Sequence, residues 1–264
     1  MGKIIAITNN KGGVGKTTTA VNFGAALRRK GFDVLLIDYD GQTNLTDILG
    51  VVPEAHATTY DAMKTPSTYI TPVRVLSPED GCGVLDVLPS CEDLAACEVE
   101  LSQEPDRVTR FGGIVEGYAT KYDVVIIDTP PTLGLLTISA LYACDEAIIP
   151  IQAEPLAIRG LLSLNKAIQG VNTNRKPSVK SSVLFTQFDS RKGLNRLISE
   201  QVTGAGFKVF ATRIRDNVAL AEATAANLDI FRYNRRSNGA QDYDALTDEY
   251  LNGAKVKHVN HRYK

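Results

Sequence analysis

The chain has no tryptophan, two methionines and four cysteines in 264 residues, and aromatic side chains make up 7% of it. So few large rings exclude a broad platform for stacking nucleobases. The cysteines, Cys82, Cys91, Cys97 and Cys144, form no C-x-x-C pair, and no histidine cluster joins them. That excludes an ordinary zinc site and points to reduced thiols in a cytoplasmic protein. Neither sign of charge dominates: 29 Lys+Arg against 30 Asp+Glu leave a net charge of -1. A protein that coats nucleic acid through its overall charge is excluded, whereas a local basic patch is not. No apolar run approaches the roughly 20 residues that a membrane-spanning helix needs. The first residues turn polar at Asn9-Asn10, too soon for a signal peptide. Ala6 breaks the myristoylation pattern that Gly2 would open.

What is present is an ordinary globular composition, 44% hydrophobic and 22% charged. Short β-branched runs alternate with longer stretches of helical spacing. Strands are expected at Lys3–Thr8, Val34–Asp38, Val84–Leu88, Tyr122–Asp128, Glu146–Ile151, Ser182–Thr186 and Lys208–Ala211. Helices are expected at 17–30, 92–101, 107–119, 133–142, 156–171, 194–203, 218–226 and 240–251. Residues 52–82, with Pro53, Pro66, Pro72 and Pro78, read as an irregular excursion. Buried strands alternating with crossover helices predict an α/β fold: a doubly wound, mostly parallel sheet with helices on both faces. One domain over 1–251 and a basic, fraying tail over 252–264 complete the expectation.

The strongest motif is Lys11-Gly12-Gly13-Val14-Gly15-Lys16-Thr17-Thr18, between an expected strand and an expected helix. Glycines let backbone N–H groups close around phosphate oxygens, and a helix N-terminus adds free donors and positive potential. Lys16 is placed to neutralise β- and γ-phosphates, and the Thr17 hydroxyl to ligate Mg²⁺. The general phosphate-loop pattern has Gly where this chain has Asn10, and Lys11 is an additional lysine before the double glycine. Asp38-Tyr39-Asp40 and Asp128-Thr129-Pro130-Pro131 end two expected strands. Strand C-termini gather around the ligand crevice of a doubly wound sheet, so these carboxylates are suited to a metal-bound or attacking water.

With the segments Leu184–Arg191, Asn217–Ala223 and Arg236–Ala240, these motifs make the chain resemble the ParA/Soj family of DNA-partitioning ATPases, which carry a deviant Walker A motif. The resemblance spans about residues 2–251. It implies an ATPase using ATP and Mg²⁺, cytoplasmic and held on the nucleoid when ATP-bound. Two subunits would join face to face, Lys11 reaching the partner's nucleotide, with Lys16 on the phosphates, Thr17 and Asp128 at the metal and Asp40 at the metal-bound or attacking water. It further implies nonspecific binding of double-stranded DNA and slow hydrolysis stimulated by a ParB-type centromere-binding partner. Arg191, Arg213, Arg215 and Arg236 are the expected DNA contacts.

The chain departs from that pattern in two places. Gly41 stands where the family usually has Pro after the second Asp, which predicts a more mobile switch. Ala219 replaces a basic residue associated with DNA binding, with Arg215 gained and Asp216 opposed to it. The resemblance leaves the adenine contacts unassigned. Three other readings compete. A membrane-cycling ATPase of the MinD type needs an amphipathic C-terminal helix, and the tail supplies only Val256, Val259 and Tyr263, so no stable membrane association is expected. A nitrogenase-reductase-like cluster protein needs a cysteine just after Asp128-Thr129-Pro130-Pro131, and none occurs before Cys144. A nucleotide-gated protein that positions a non-DNA cargo remains the main alternative.

Overall fold

The computed structural model describes residues 1–254 and 256–259. Seven strands form one sheet: β1 (Lys3–Ile7), β2 (Val34–Asp38), β3 (Val73–Leu76), β4 (Leu85–Leu88), β5 (Val124–Asp128), β6 (Glu146–Gln152) and β7 (Lys180–Thr186). Their order is β3-β4-β2-β5-β1-β6-β7. All neighbours are parallel except β3, which runs antiparallel on the edge beside β4. β1 sits where the chain changes direction, between β5 and β6, which is where an open α/β sheet leaves its ligand crevice.

Alternation along the strands divides the core into two layers. Ile4, Ala6, Leu35, Ile37, Val125 and Ile127 face one layer; Ile5, Ile7, Leu36, Val124 and Ile126 face the other. All five residues of both β2 and β5 are buried, which explains why Val-Leu-Leu-Ile and Val-Val-Ile-Ile show no polar alternation. Burying one such aliphatic side chain contributes about 1.5–3 kcal/mol, so the central strands make a stiff base for what lies at their ends.

The helices are α1 (Lys16–Arg29), α2 (Asn44–Ile48), α3 (Thr59–Lys64), α4 (Cys97–Glu100), α5 (Arg110–Ala119), α6 (Leu135–Ala143), α7 (Ala157–Thr173), α8 (Gly193–Gly204), α9 (Val218–Ala225), α10 (Ile230–Asn234) and α11 (Asn238–Gly253). α5 to α8 cover the first layer, while α1 and α9 to α11 cover the second. The fold class is as the sequence predicts.

Three expectations need correction. Lys208–Ala211 is not a strand: only Val209 bridges Val183. The N–H groups of Ala211 and Thr212 bond instead to the Glu249 carboxylate of α11, at 2.7 and 2.8 Å. The excursion at 52–82 is partly regular, holding α3 and β3. A Thr58–Asp61 capping box starts α3, and β3 is a half-buried, bulged edge whose periodicity is too weak to read. The expected helix at 92–101 divides into a 3-10 turn (Glu92–Ala96) and α4.

Of the tail, residues 255 and 260–264 lie outside the described residues. His258 stacks on Phe32, ring centroids 4.5 Å apart, and its Nδ1 is 3.2 Å from an Asp123 carboxylate oxygen.

Candidate functional site

The site forms at the C-terminal ends of β1, β2 and β5. Register decides its geometry: Ile7 is level with Asp128, and Asp128 with Asp38. The chain therefore leaves β1 at Thr8 beside two strand-end carboxylates. The loop from Asn9 to Gly15 then turns into α1 without a side-chain cap, its last residue Gly15 at φ +82. Gly13 is also left-handed, at φ +73, a conformation that costs any side-chain-bearing residue roughly 1–2 kcal/mol. Gly13 and Gly15 are thus required by the backbone path.

Lys16 is the first residue of α1 and is 8% exposed. Its ammonium donates to the Lys11 carbonyl at 3.3 Å. Burial lowers its pKa, while the nearby Asp128 and Asp40 carboxylates oppose that shift. Asp128 is 1% exposed, with Oδ1 buried and without a hydrogen-bond partner. Burial chiefly, and then Asp38 beside it, push the Asp128 carboxyl well above the usual carboxylate range; a hydrogen bond from Thr17 and the Lys16 charge pull the other way. A buried, unsatisfied carboxylate oxygen next to a hydroxyl is the donor set a hydrated hard cation takes. Thr17 and Asp128 therefore fit Mg²⁺. Among the described residues no group of three or more His, Cys, Asp or Glu could hold a metal, which suits a cation that also takes waters and phosphate oxygens.

Asp38 is fully buried and accepts from the Thr46 N–H (2.9 Å), the Thr46 hydroxyl (2.7 Å) and the Asp40 N–H (3.2 Å). Burial outweighs these donors and pushes its carboxyl up to about 7. The ordinary value is about 3.9, so the native state holds a proton there that the unfolded chain gives up. Stability from this group is complete below the unfolded value and is lost as pH rises through about 7. The nucleotide-free protein should therefore melt a few degrees lower at pH 8 than at pH 6. Asp38→Asn should reduce that slope, with the raised Asp128 carboxyl keeping the remainder, which thermal melts across the range will check; an unchanged slope removes Asp38 as a source.

Asp40 lies past the end of β2 in a tight turn. Its Oδ1 accepts the Gln42 N–H at 3.1 Å and its carbonyl the Thr43 N–H at 3.0 Å. Thr43 is left-handed, at φ 57. Gly41 is buried: a Cβ there would sit 3.1 Å from the Ala95 nitrogen and 3.2 Å from the Ala95 Cβ. The missing proline thus lets the switch pack closely on the 92–96 turn.

Lys11 is half exposed and forms an ion pair with Glu154, just beyond β6. A cavity of about 270 Å³ opens beside Gly15, Thr18, Thr186 and Asn217. A cavity of about 710 Å³ lies at the opposite pole, around Met1 and Lys176, away from this chemistry.

The four expected DNA-contacting arginines differ in what holds them. Arg191 is 89% exposed and pairs with Asp189, whose carboxyl the Arg191 hydrogen bonds hold down to about 2. Arg236 is exposed. Arg213 lies over the Phe188 ring at 4.7 Å and donates to Ser199. Arg215 is paired with Asp242, Nη2 to Oδ1 2.7 Å. Sequence reasoning did not mark Gln152, Glu154 or Gln187, which all reach the loop from other elements. Single exposed glutamines carry no spacing signal, and Gln187 was visible only inside the Leu184–Arg191 segment.

Comparison with known proteins follows the same outline. The family described as an AAA domain matches residues 2–181. The sporulation initiation inhibitor protein Soj of Bacillus subtilis (strain 168) is 40% identical over 252 residues, covering 94% of this chain and 98% of its own. The chromosome partitioning protein ParA of Myxococcus xanthus (strain DK1622) is 37% identical, covering 95% and 88%. Cobyrinic acid a,c-diamide synthase from Mycobacterium smegmatis, solved with a bound ATP analog and magnesium, is 32% identical with a TM-score of 0.80, covering 98% and 100%.

Proposed function

The chain belongs to the ParA/Soj family of partitioning ATPases, and from that premise we propose that it couples ATP-Mg²⁺ binding and hydrolysis to DNA partitioning. The observation that carries the reading is the convergence of Lys16, Thr17 and Asp128 at the strand ends. The amides of the loop and the α1 N-terminus receive the phosphates, and Lys16 neutralises them. Bound Mg²⁺ would supply charge neutralisation on the β- and γ-oxygens, held by Thr17 and Asp128. Asp40, in the turn after β2, orients the attacking water. Phosphoryl transfer needs little more than this placement and charge.

In this reading Lys11 leaves Glu154 and reaches the nucleotide of a second copy. A half-exposed ion pair contributes only about 0.2–1 kcal/mol, so a phosphate can displace it. The ATP-bound dimer then holds double-stranded DNA nonspecifically in the cytoplasm, on the nucleoid. A ParB-type partner stimulates the slow hydrolysis that releases it. Arg191 and Arg236, doubled in the dimer, are the contacts best disposed to phosphates.

The test is DNA binding with ATP, with ADP and without nucleotide over a salt series. Binding should require ATP and weaken steeply with salt. Gly12→Val should abolish it. A Cβ at Gly12 meets nothing within 4 Å in the single chain, so its clash arises only with an apposed subunit. ATP-dependent dimers in that variant remove the face-to-face arrangement. ATP-dependent dimers of the wild type that bind no DNA favour positioning of another cargo.

A further inference from the structure

The phosphate loop is gripped from outside by side chains at the ends of β6 and β7. Gln152 donates its amide N–H to the Gly13 carbonyl at 2.9 Å, and Gln187 donates to the same oxygen at 3.2 Å. The Thr186 hydroxyl lies 2.8 Å from the Val14 carbonyl and 3.2 Å from that of Ile151. Its single hydrogen is best placed on Val14. These residues come from positions 139, 174 and 172 away in the chain.

A trans peptide unit is planar, so its carbonyl and its N–H point in opposite directions. Holding the Gly13 carbonyl outward aims the Val14 N–H inward. Holding the Val14 carbonyl does the same for the Gly15 N–H. Among the described residues neither N–H has a protein acceptor. The segment needs such restraint because Gly13 and Gly15 are both left-handed, and a glycine-flanked peptide flips at little steric cost. Gln187 itself is held at φ 49, a conformation a side-chain-bearing residue adopts at a cost of roughly 1–3 kcal/mol. That strain carries its amide to the loop.

We propose that Gln152 and Gln187 are positioning residues for phosphate binding, acting through the shared Gly13 carbonyl to preset the loop amides toward the nucleotide. The assignment rests on the nucleotide-binding reading above. A carbonyl oxygen has two lone pairs, so either glutamine alone holds the peptide plane. The pair is therefore redundant, and its removal is not additive.

The test titrates a fluorescent ADP analogue into the full chain carrying Gln152→Met, Gln187→Met or both, with Lys16→Ala as reference. Each single variant should weaken binding about twofold, and the double variant about twentyfold or more, beyond the product of the singles. The melting temperature without nucleotide should stay near wild type, since a merely structural role would lower it instead. Restoring either glutamine to the double variant should recover most of the affinity. A double variant that binds within twofold of wild type overturns the proposal. Should the double variant fail to fold, Gln187→Glu carries the test alone. It sets a carboxylate against the Gly13 carbonyl and should bind about tenfold more weakly; wild-type affinity overturns the proposal equally. A wild type that binds no ADP analogue removes the nucleotide reading itself. Loss in Lys16→Ala with an unaffected double variant removes only the clamp.

Discussion

Lys16→Ala should lose tight nucleotide binding, by about a hundredfold or more. Lys16 is the buried cation of the site, and the carboxylates of Asp128 and Asp40 lie near it. A nucleotide brings further negative charge into the same space. Opposite charges about 4 Å apart attract by about 4 kcal/mol at the effective dielectric of a protein surface, and part of this is spent on desolvation. A charge-assisted hydrogen bond still contributes about 1.5–3 kcal/mol net, or roughly ten- to 150-fold in affinity. The alanine variant does worse than lose that term, because the carboxylates then face the phosphates without a cation between them. The measurement is titration of ATP and ADP with and without magnesium. Lys16→Gln separates charge from side-chain volume, and it should also bind weakly. Wild-type affinity in both variants would remove Lys16, and with it the loop assignment.

Asp40→Ala should separate binding from chemistry. Hydrolysis should fall about 10²–10⁴-fold, the contribution of a positioned acid–base group, while ATP affinity stays within a few-fold. The geometry supports that split. Among the described residues the Asp40 carboxylate accepts a hydrogen bond only from the exposed Gln42 N–H, so its removal costs little structure. It lies in a turn rather than in the loop that grips phosphates. A fall in kcat without a fall in affinity is the signature of an interaction made only in the transition state. Single-turnover phosphate release beside equilibrium titration will measure both. Asp40→Asn keeps the size and the hydrogen bond to Gln42 but not the charge, and should also be slow. Wild-type turnover in Asp40→Ala takes Asp40 out of the mechanism.

Much of the site was legible because its chemistry is contiguous. Lys11 to Thr18 declare a glycine-rich strand-to-helix loop by local rules alone: glycines where φ is positive, and a lysine and a hydroxyl at the helix start. The uninterrupted apolar runs of β2 and β5 announce strands buried on both faces, each ending in an aspartate. The edge was less legible. β3 is a short, bulged, half-buried strand after Pro72, and its pattern carries no clear period. Lys208–Ala211 looked like a strand because its alternation is right, but after one bridge to Val183 its Ala211 N–H, and the Thr212 N–H beyond it, turn to Glu249.

The fold class, the family and the glycine-rich strand-to-helix loop were legible in the chain, since each is written in residues that are neighbours along it. That Asp38 and Asp128 stand level belongs to the tertiary structure, through the β2–β5 register. The tertiary structure alone paired Lys11 with Glu154, packed Gly41 against Ala95 and brought Gln152 and Gln187 to one carbonyl. These contacts join residues from about 50 to more than 170 positions apart. Periodicity reports which face of an element is buried, but a hydrogen bond between two elements depends on how they are registered, and that is settled only when the whole sheet closes around its core.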